Sequence, residues 1–186
     1  MGRNDLHTQT VPNYPIVVLA NIASAVANLN ARSKYLVTSV TPSLDEPVGS
    51  AEWNEIASLN ATLASTYGTN YADVWSAVTS AGTVQVPVNL HLVTAATTAT
   101  YGSGVSSFTV TSATGIVNGM FIFGTGIPDQ TTVTISGTTV TLSNPTTAIG
   151  TAATVSFVNS NEVHMNDAGY AVWASTINAA MTANGM

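Results

Sequence analysis

Cysteine is absent from this sequence, and basic residues are almost absent. Without cysteine the chain has neither a disulfide framework nor a thiolate site, so its redox compartment cannot be read from the sequence. Its three basic residues are Arg3, Arg32 and Lys34, and none follows from Tyr35 to Met186. The chain therefore lacks the basic footprint of a nucleic-acid-binding protein. A formal net charge of −6 also disfavours phosphate ligands and anionic membranes, whereas neutral glycans stay compatible with it.

Long apolar runs are also missing. The stretch from Tyr14 to Ala27 is interrupted by Pro15, Asn21 and Ser24, and a membrane-spanning helix needs about 20 apolar residues in succession. The first residues lack the basic and apolar regions of a signal peptide, so we expect any export signal to lie upstream or to be absent. With 186 residues, 45% of them hydrophobic, the chain is nonetheless large enough to fold around a packed core.

Hydrophobic spacing predicts helices and buried strands at both ends of the chain. Apolar residues at helical spacing favour a helix over 14–30, and the β-branched run 34–41 favours a buried strand. The segment 71–78 is ambiguous between a strand and a helical turn, and we favour a strand leading into a loop. A last amphipathic helix is expected from Asp167 or Ala168 to Ala183.

A second helix has the clearest start and stop signals. Ser50 is suited to the N-cap, Glu52 complements the helix dipole, and Gly68 is suited to the end. Between them runs an apolar stripe formed by Trp53, Ile56, Leu59 and Leu63. Trp53, Trp75 and Trp173 all fall on apolar faces and are expected to be core residues.

Residues 83–158 differ in composition, with Thr, Ser, Val and Gly in place of helix formers. We predict short strands at 107–111, 120–123, 132–135, 138–142 and 154–158, with Ser136-Gly137 as a two-residue hairpin turn. This indicates a small antiparallel sandwich or barrel inserted into an α/β layer fold. The predicted domains are therefore 1–82 and 159–186 for the α/β part and 83–158 for the insert.

Two motifs carry the chemistry that the sequence suggests. Gly2-Arg3-Asn4-Asp5 is a Gly-x-Asn-Asp block, and His164-Met-Asn-Asp-Ala-Gly-Tyr170 directly precedes the last helix. Their order, together with Tyr71-Ala-Asp-Val-Trp75 before the His segment, resembles the SGNH (GDSL-type) serine hydrolases. The resemblance covers the chain outside the insert and implies a flavodoxin-like three-layer fold, of which this chain would supply the C-terminal part.

The resemblance also implies roles for single residues. In such an enzyme a serine attacks an ester carbonyl, a histidine accepts its proton and an Asn side chain helps to stabilise the oxyanion. Carried onto this chain, His164 is the base and Asn4 the oxyanion donor. The family has an Asp three residues before its His where this chain has Asn161, which could still hold the imidazole tautomer. Glu162 and Asp167 are close in sequence but lack the family's spacing. No cofactor is implied.

The family's nucleophile has no counterpart here. Its serine block precedes Gly-x-Asn-Asp, and this sequence contains neither Gly-Asp-Ser nor Gly-x-Ser-x-Gly. Ser103, between Gly102 and Gly104, is more consistent with a flexible turn. We therefore expect little or no hydrolase activity from the chain by itself. The three histidines are not at metal-ligand spacing, so no metal site is expected.

The insert resembles a β-module that recurs in bacteriophage tail and other virion proteins, through its Gly-Thr-Gly-Ile-Pro turn and its TVTISGTTVTLS hairpin. That likeness implies a virion or extracellular setting, in which a hydrolase of this family would deacylate a polysaccharide or a small ester. Two functions stay open. The chain is part of an esterase or carbohydrate O-deacetylase completed by an N-terminal partner fragment, or it is a non-catalytic virion or surface protein that uses the β-module for assembly or glycan binding.

A partial parallel sheet would leave an exposed edge. We therefore expect one of three outcomes: an incomplete fold, a small rebuilt sheet, or pairing of the edge with another chain. Pairing with another chain includes the formation of a homo-oligomer.

Overall fold

The computed structural model describes residues 13–44, 46–80, 82, 85–160, 162 and 164–186. The chain divides into two compact units. The helical unit contains the described residues up to Pro42, Glu46–Val86 and Ala168–Met186, and the β unit contains Ser43, Leu44 and Pro87–Asp167. The protein is thus a mixed α/β chain with small sheets, which confirms the predicted class at that level.

The helices are α1 (Asn13–Ala27), α2 (Ala51–Tyr67), α3 (Val74–Val78) and α4 (Asp167–Ala183), with 3-10 turns at Gly68–Asn70 and Val88–Leu90. The strands are β1 (Val37–Thr38), β2 (Tyr71–Ala72), β3 (Ala95–Tyr101), β4 (Ser107–Thr109), β5 (Phe121–Gly124), β6 (Val133–Ser136), β7 (Thr139–Leu142) and β8 (Gly150–Val158).

Helix α2 begins and ends where its sequence signals predict. The Ser50 side chain accepts a hydrogen bond from the backbone N–H of Trp53, and Gly68 has a φ of 53° at the other end. The predicted stripe of four apolar residues is buried, and it packs with Tyr14 and Val18 of α1 in the core of the helical unit. The side chains of Trp53 and Trp75 meet edge to face, with ring centroids 4.9 Å apart, as expected for core residues.

Helix α1 is shorter than predicted. It ends at Ala27 rather than at residue 30 because the side chain of Asn28 donates to the Ser24 carbonyl, and the side chain of Asn30 then accepts the backbone N–H of Arg32. Such local side-chain bonds compete with helix continuation.

Strands β1 and β2 pair in parallel, with Val37 opposite Tyr71 and Thr38 opposite Ala72. Together with α2 they form a β-α-β unit. The strand predicted over 34–41 is reduced to two residues. The side chain of Asn60 in α2 forms hydrogen bonds with both the backbone N–H and the backbone carbonyl of Val40, so these groups do not pair with a neighbouring strand.

The prediction of a strand leading into a loop over 71–78 is wrong after Ala72. The carboxylate of Asp73 accepts the backbone N–H of Ser76 and caps α3.

Six strands of the β unit form a closed antiparallel ring. The sheets β3-β8-β5 and β4-β7-β6 are joined by bridges between Ala99 and Val110 and between Phe121 and Thr132. Each of the six strands therefore has a neighbour on both sides, an arrangement that protects backbone groups from pairing with other chains. Twelve buried side chains, including Phe108, fill the interior.

The strand predictions in this unit need three corrections. Strand β3 was not predicted, because its inward residues, Thr97, Ala99 and Tyr101, alternate with small side chains and form no apolar run. Strand β8 begins at Gly150 rather than at residue 154. The hairpin turn consists of Gly137 and Thr138, because Ser136 pairs with Thr139 and the positive φ of 61° falls on Gly137.

Candidate functional site

The imidazole of His164 is paired with a carboxylate. Atom Oε1 of Glu162 lies 2.7 Å from Nδ1 of His164 and also accepts the backbone N–H of that residue at 2.7 Å. The side chain of Glu162 is only 14% exposed, whereas that of His164 is 69% exposed. The ring is thus held on one side by a largely buried carboxylate and open to solvent on the other.

This geometry fixes which ring nitrogen can accept a proton. An ionised carboxylate can only accept hydrogen bonds, so Nδ1 must carry the hydrogen that Glu162 accepts. In the neutral imidazole the lone pair then lies on Nε2. An exposed Nε2 with a carboxylate behind Nδ1 is the arrangement of a general base, because the carboxylate also stabilises the imidazolium formed when the proton is taken up.

The backbone around His164 is anchored within the β unit. Its carbonyl accepts the backbone N–H of Leu92 at 3.0 Å, and Met165 is bridged to His91. One residue on, the backbone N–H of Asn166 donates to the Leu90 carbonyl at 2.8 Å. These bonds hold the backbone from His164 to Asn166 at a defined place immediately before α4, a position suited to displaying a reactive side chain.

Glu162 was not assigned this role from the sequence, because it lacks the expected three-residue spacing. It lies two residues before His164, close enough along the chain for its carboxylate to reach both the ring and the backbone N–H. Asp167, the other nearby carboxylate, begins α4 and lies in its first turn, where it favours the helix dipole. Asn4 and Asn161 lie outside the described residues, so their assigned roles stay predictions.

Ser103 lies in the turn between β3 and β4, next to Gly104 with a φ of 77°, as its sequence context indicates. Within the described ranges, no group of three or more His, Cys, Asp or Glu side chains could hold a metal ion. Among the described helices, none combines the length and apolar character needed to cross a bilayer. Comparisons with protein-family models, curated proteins and solved structures found no match.

Proposed function

We propose that this chain is the C-terminal portion of an SGNH-type ester hydrolase, in which His164 is the general base and Glu162 orients it. The serine nucleophile is supplied by a separate or upstream segment. In the proposed reaction Nε2 of His164 takes the proton of the serine hydroxyl while the oxygen attacks the ester carbonyl. The same nitrogen returns the proton to the leaving alcohol, and water then releases the acyl group by the reverse sequence.

The observation that carries this proposal is the pairing of His164 with Glu162. A histidine without a function on a surface loop does not require a partner carboxylate, and here the side chain of that partner, Glu162, is only 14% exposed. Two hydrogen bonds to one carboxylate oxygen, from the ring and from the backbone N–H, restrict both the rotamer and the tautomer. Such restriction is what proton transfer at a fixed site requires.

The helical unit supports the same proposal. Its β1-α2-β2 arrangement with a parallel strand pair is the repeating element of doubly wound α/β folds. A parallel sheet is normally covered on both faces and contains more than two strands. The apolar side chains of α4 are also incompletely covered, since Val172, Trp173 and Ile177 are half-buried and Met181 is 37% exposed. Further strands from the serine-bearing segment would complete this sheet and cover this face.

The proposed substrate is an acylated polysaccharide or another neutral ester in a virion or extracellular setting. The near absence of basic residues disfavours anionic acyl donors, because nothing between Tyr35 and Met186 carries a positive charge apart from protonated histidine. The closed β ring fits a module that folds independently.

The test is reconstitution. The coding sequence upstream should encode a Gly-Asp-Ser block followed by a glycine-bearing block. Joined to that segment, the chain should hydrolyse p-nitrophenyl acetate and be labelled by a fluorophosphonate probe, whereas the chain alone should do neither.

In the joined protein, His164→Ala should lower kcat/KM by about 10³-fold or more, and Glu162→Gln by at least about tenfold. Glu52→Gln is the matched control, because Glu52 lies on the exposed first turn of α2, and it should leave kcat/KM unchanged. The absence of an upstream serine block, or full activity of His164→Ala, would reject the proposal in favour of a non-catalytic structural protein.

A further inference from the structure

The helical unit contains a second site, a cleft of about 280 Å³ between α2 and the segment that runs from β2 into α3. One wall is apolar and consists of Ala57, Ala61 and Ala64, which share one face of α2 at helical spacing. The opposite wall is polar and is formed mainly by Tyr71, Asp73 and Trp75. None of these residues belongs to the histidine site, and nothing in the hydrolase proposal uses the cleft.

The indole N–H of Trp75 is a buried donor that needs an acceptor. The residue is 4% exposed, and Nε1 has no hydrogen-bond partner among the described residues. The neighbour facing Nε1 is Gly82, which also lines the cleft. A Cβ at position 82 would lie 2.9 Å from Nε1, so glycine can pack against this donor where a larger residue would clash with it. Buried donors are nearly always paired, so an unpaired one at a cleft wall indicates a place for an acceptor atom of a ligand.

Tyr71 provides a second polar group. Burial, with a smaller contribution from the charge of Asp73, raises the pKa of its phenol to about 12, although a hydrogen bond from Ser39 opposes this rise. Ser39 accepts the backbone N–H of Trp75 at 2.6 Å and also bonds to the Tyr71 phenol. The phenol keeps its proton at neutral pH, and a phenol can both donate and accept, so Tyr71 retains the capacity for a further hydrogen bond.

Asp73 provides an acceptor at the exposed side of the cleft. One carboxylate oxygen accepts the backbone N–H of Ser76 at 3.0 Å, which leaves the second oxygen for a ligand. The amide of Asn60, although it lines the cleft, is held by hydrogen bonds with both backbone groups of Val40. The site thus offers one neutral donor, a phenol that can donate or accept, one anionic acceptor and an apolar wall.

We propose that this cleft binds a single neutral pyranose unit. Hydroxyl groups both donate and accept, so a sugar can satisfy Trp75 and Tyr71 while donating to Asp73, with its C–H face against the alanines. An anion would be repelled by Asp73, and an ammonium group could not accept from the indole or the phenol. The volume lies just below the range of about 300–1,000 Å³ for drug-sized ligands, which fits one sugar ring.

The test is an NMR titration of the ¹⁵N-labelled full chain with the methyl glycosides of glucose, galactose, mannose and N-acetylglucosamine. The chain has three tryptophans, so three indole N–H signals are expected, and Trp75→Phe identifies the relevant one. At least one glycoside should shift the Trp75 indole signal in a saturable manner, while the signals of Trp53 and Trp173 stay in place. A panel that moves none of the three, or moves all equally, overturns the proposal, as does a shift of Trp75 caused by inorganic phosphate or methylammonium instead.

Two variants locate the binding within the cleft. Ala61→Leu fills it and should abolish the shift, whereas Ala51→Leu, at an exposed position of the same helix outside the cleft, should leave the apparent Kd unchanged. Asp73→Asn keeps an oxygen to cap α3 and should raise the Kd at least fivefold through loss of the charged acceptor. Equal Kd values for the wild type and Ala61→Leu, with the dispersed spectrum of a folded protein in both, would contradict the proposal. Because His164 is not involved, this outcome is independent of the esterase test.

Discussion

Asn60 is expected to be the residue of α2 whose polar side chain contributes most to the stability of the helical unit. Its side chain is 6% exposed and forms two hydrogen bonds with Val40, accepting the backbone N–H at 2.8 Å and donating to the carbonyl at 2.7 Å. Asn60→Ala would leave both backbone groups buried without these partners. Each unsatisfied buried group costs about 1–3 kcal/mol, so loss of both partners should lower the free energy of unfolding by about 2–6 kcal/mol.

Urea denaturation followed by tryptophan fluorescence measures this loss directly. Trp53, Trp75 and Trp173 all belong to the helical unit, so fluorescence reports on that unit and not on the β ring. Asn54→Ala is the matched control, because Asn54 is exposed on the same helix and its side chain donates to the Gly49 carbonyl at the exposed start of that helix. The control should change stability by less than about 0.5 kcal/mol. If Asn60→Ala were no more destabilising than Asn54→Ala, the structural role assigned to Asn60 would be refuted.

Two further predictions concern Tyr71 and Gly150. Because the Tyr71 phenol ionises near pH 10 when unfolded and near pH 12 when folded, its stabilisation is complete below pH 10 and is lost between pH 10 and 12. Because Tyr71 is partly exposed, the free energy of unfolding should fall by about 1 kcal/mol over this pH range. Urea denaturation at pH values between 10 and 12 should show this fall in the wild type but not in Tyr71→Phe. In the β ring, a Cβ at Gly150 would lie 2.4 Å from the ring of Tyr101, so Gly150→Ala should destabilise by about 1–3 kcal/mol. Gly102→Ala is the control, because its Cβ would meet only ordinary van der Waals contacts. Equal protection of the β3 and β8 amides from hydrogen exchange in the two variants would contradict the predicted destabilisation by Gly150→Ala.

The elements with strong local signals were predictable from the sequence. The N-cap serine, the apolar stripe and the closing glycine of α2 all act within one helix, and the structure confirms each of them. The predicted length of strand β1 was too long, because the strand is ended by hydrogen bonds between Val40 and Asn60, which lie 20 residues apart in sequence. Strand β3 was missed because its inward residues, Thr97, Ala99 and Tyr101, form no apolar run, and only pairing with β8, about 55 residues later, makes them recognisable as strand.

The candidate site was predictable in part. The position of His164 before the last helix follows from the local pattern, and the structure places it there. Its partner Glu162 was not predicted, because a partner was expected three residues before the histidine, whereas the structure has a carboxylate two residues before it. The cleft beside Trp75 could not be predicted, because it depends on Gly82 and α2 meeting the same indole from different parts of the chain.

The most direct test of the proposed base is the protonation state of the His164 ring. Nitrogen chemical shifts of the neutral imidazole, measured on ¹⁵N-labelled protein at pH 8–9, distinguish a hydrogen on Nδ1 from one on Nε2. The pairing with Glu162 requires the hydrogen on Nδ1, and Glu162→Ala should shift the population toward the Nε2–H form that free imidazole side chains favour. A wild-type ring with its hydrogen on Nε2, unchanged by Glu162→Ala, would mean that His164 is not held as a base and would contradict the proposed mechanism.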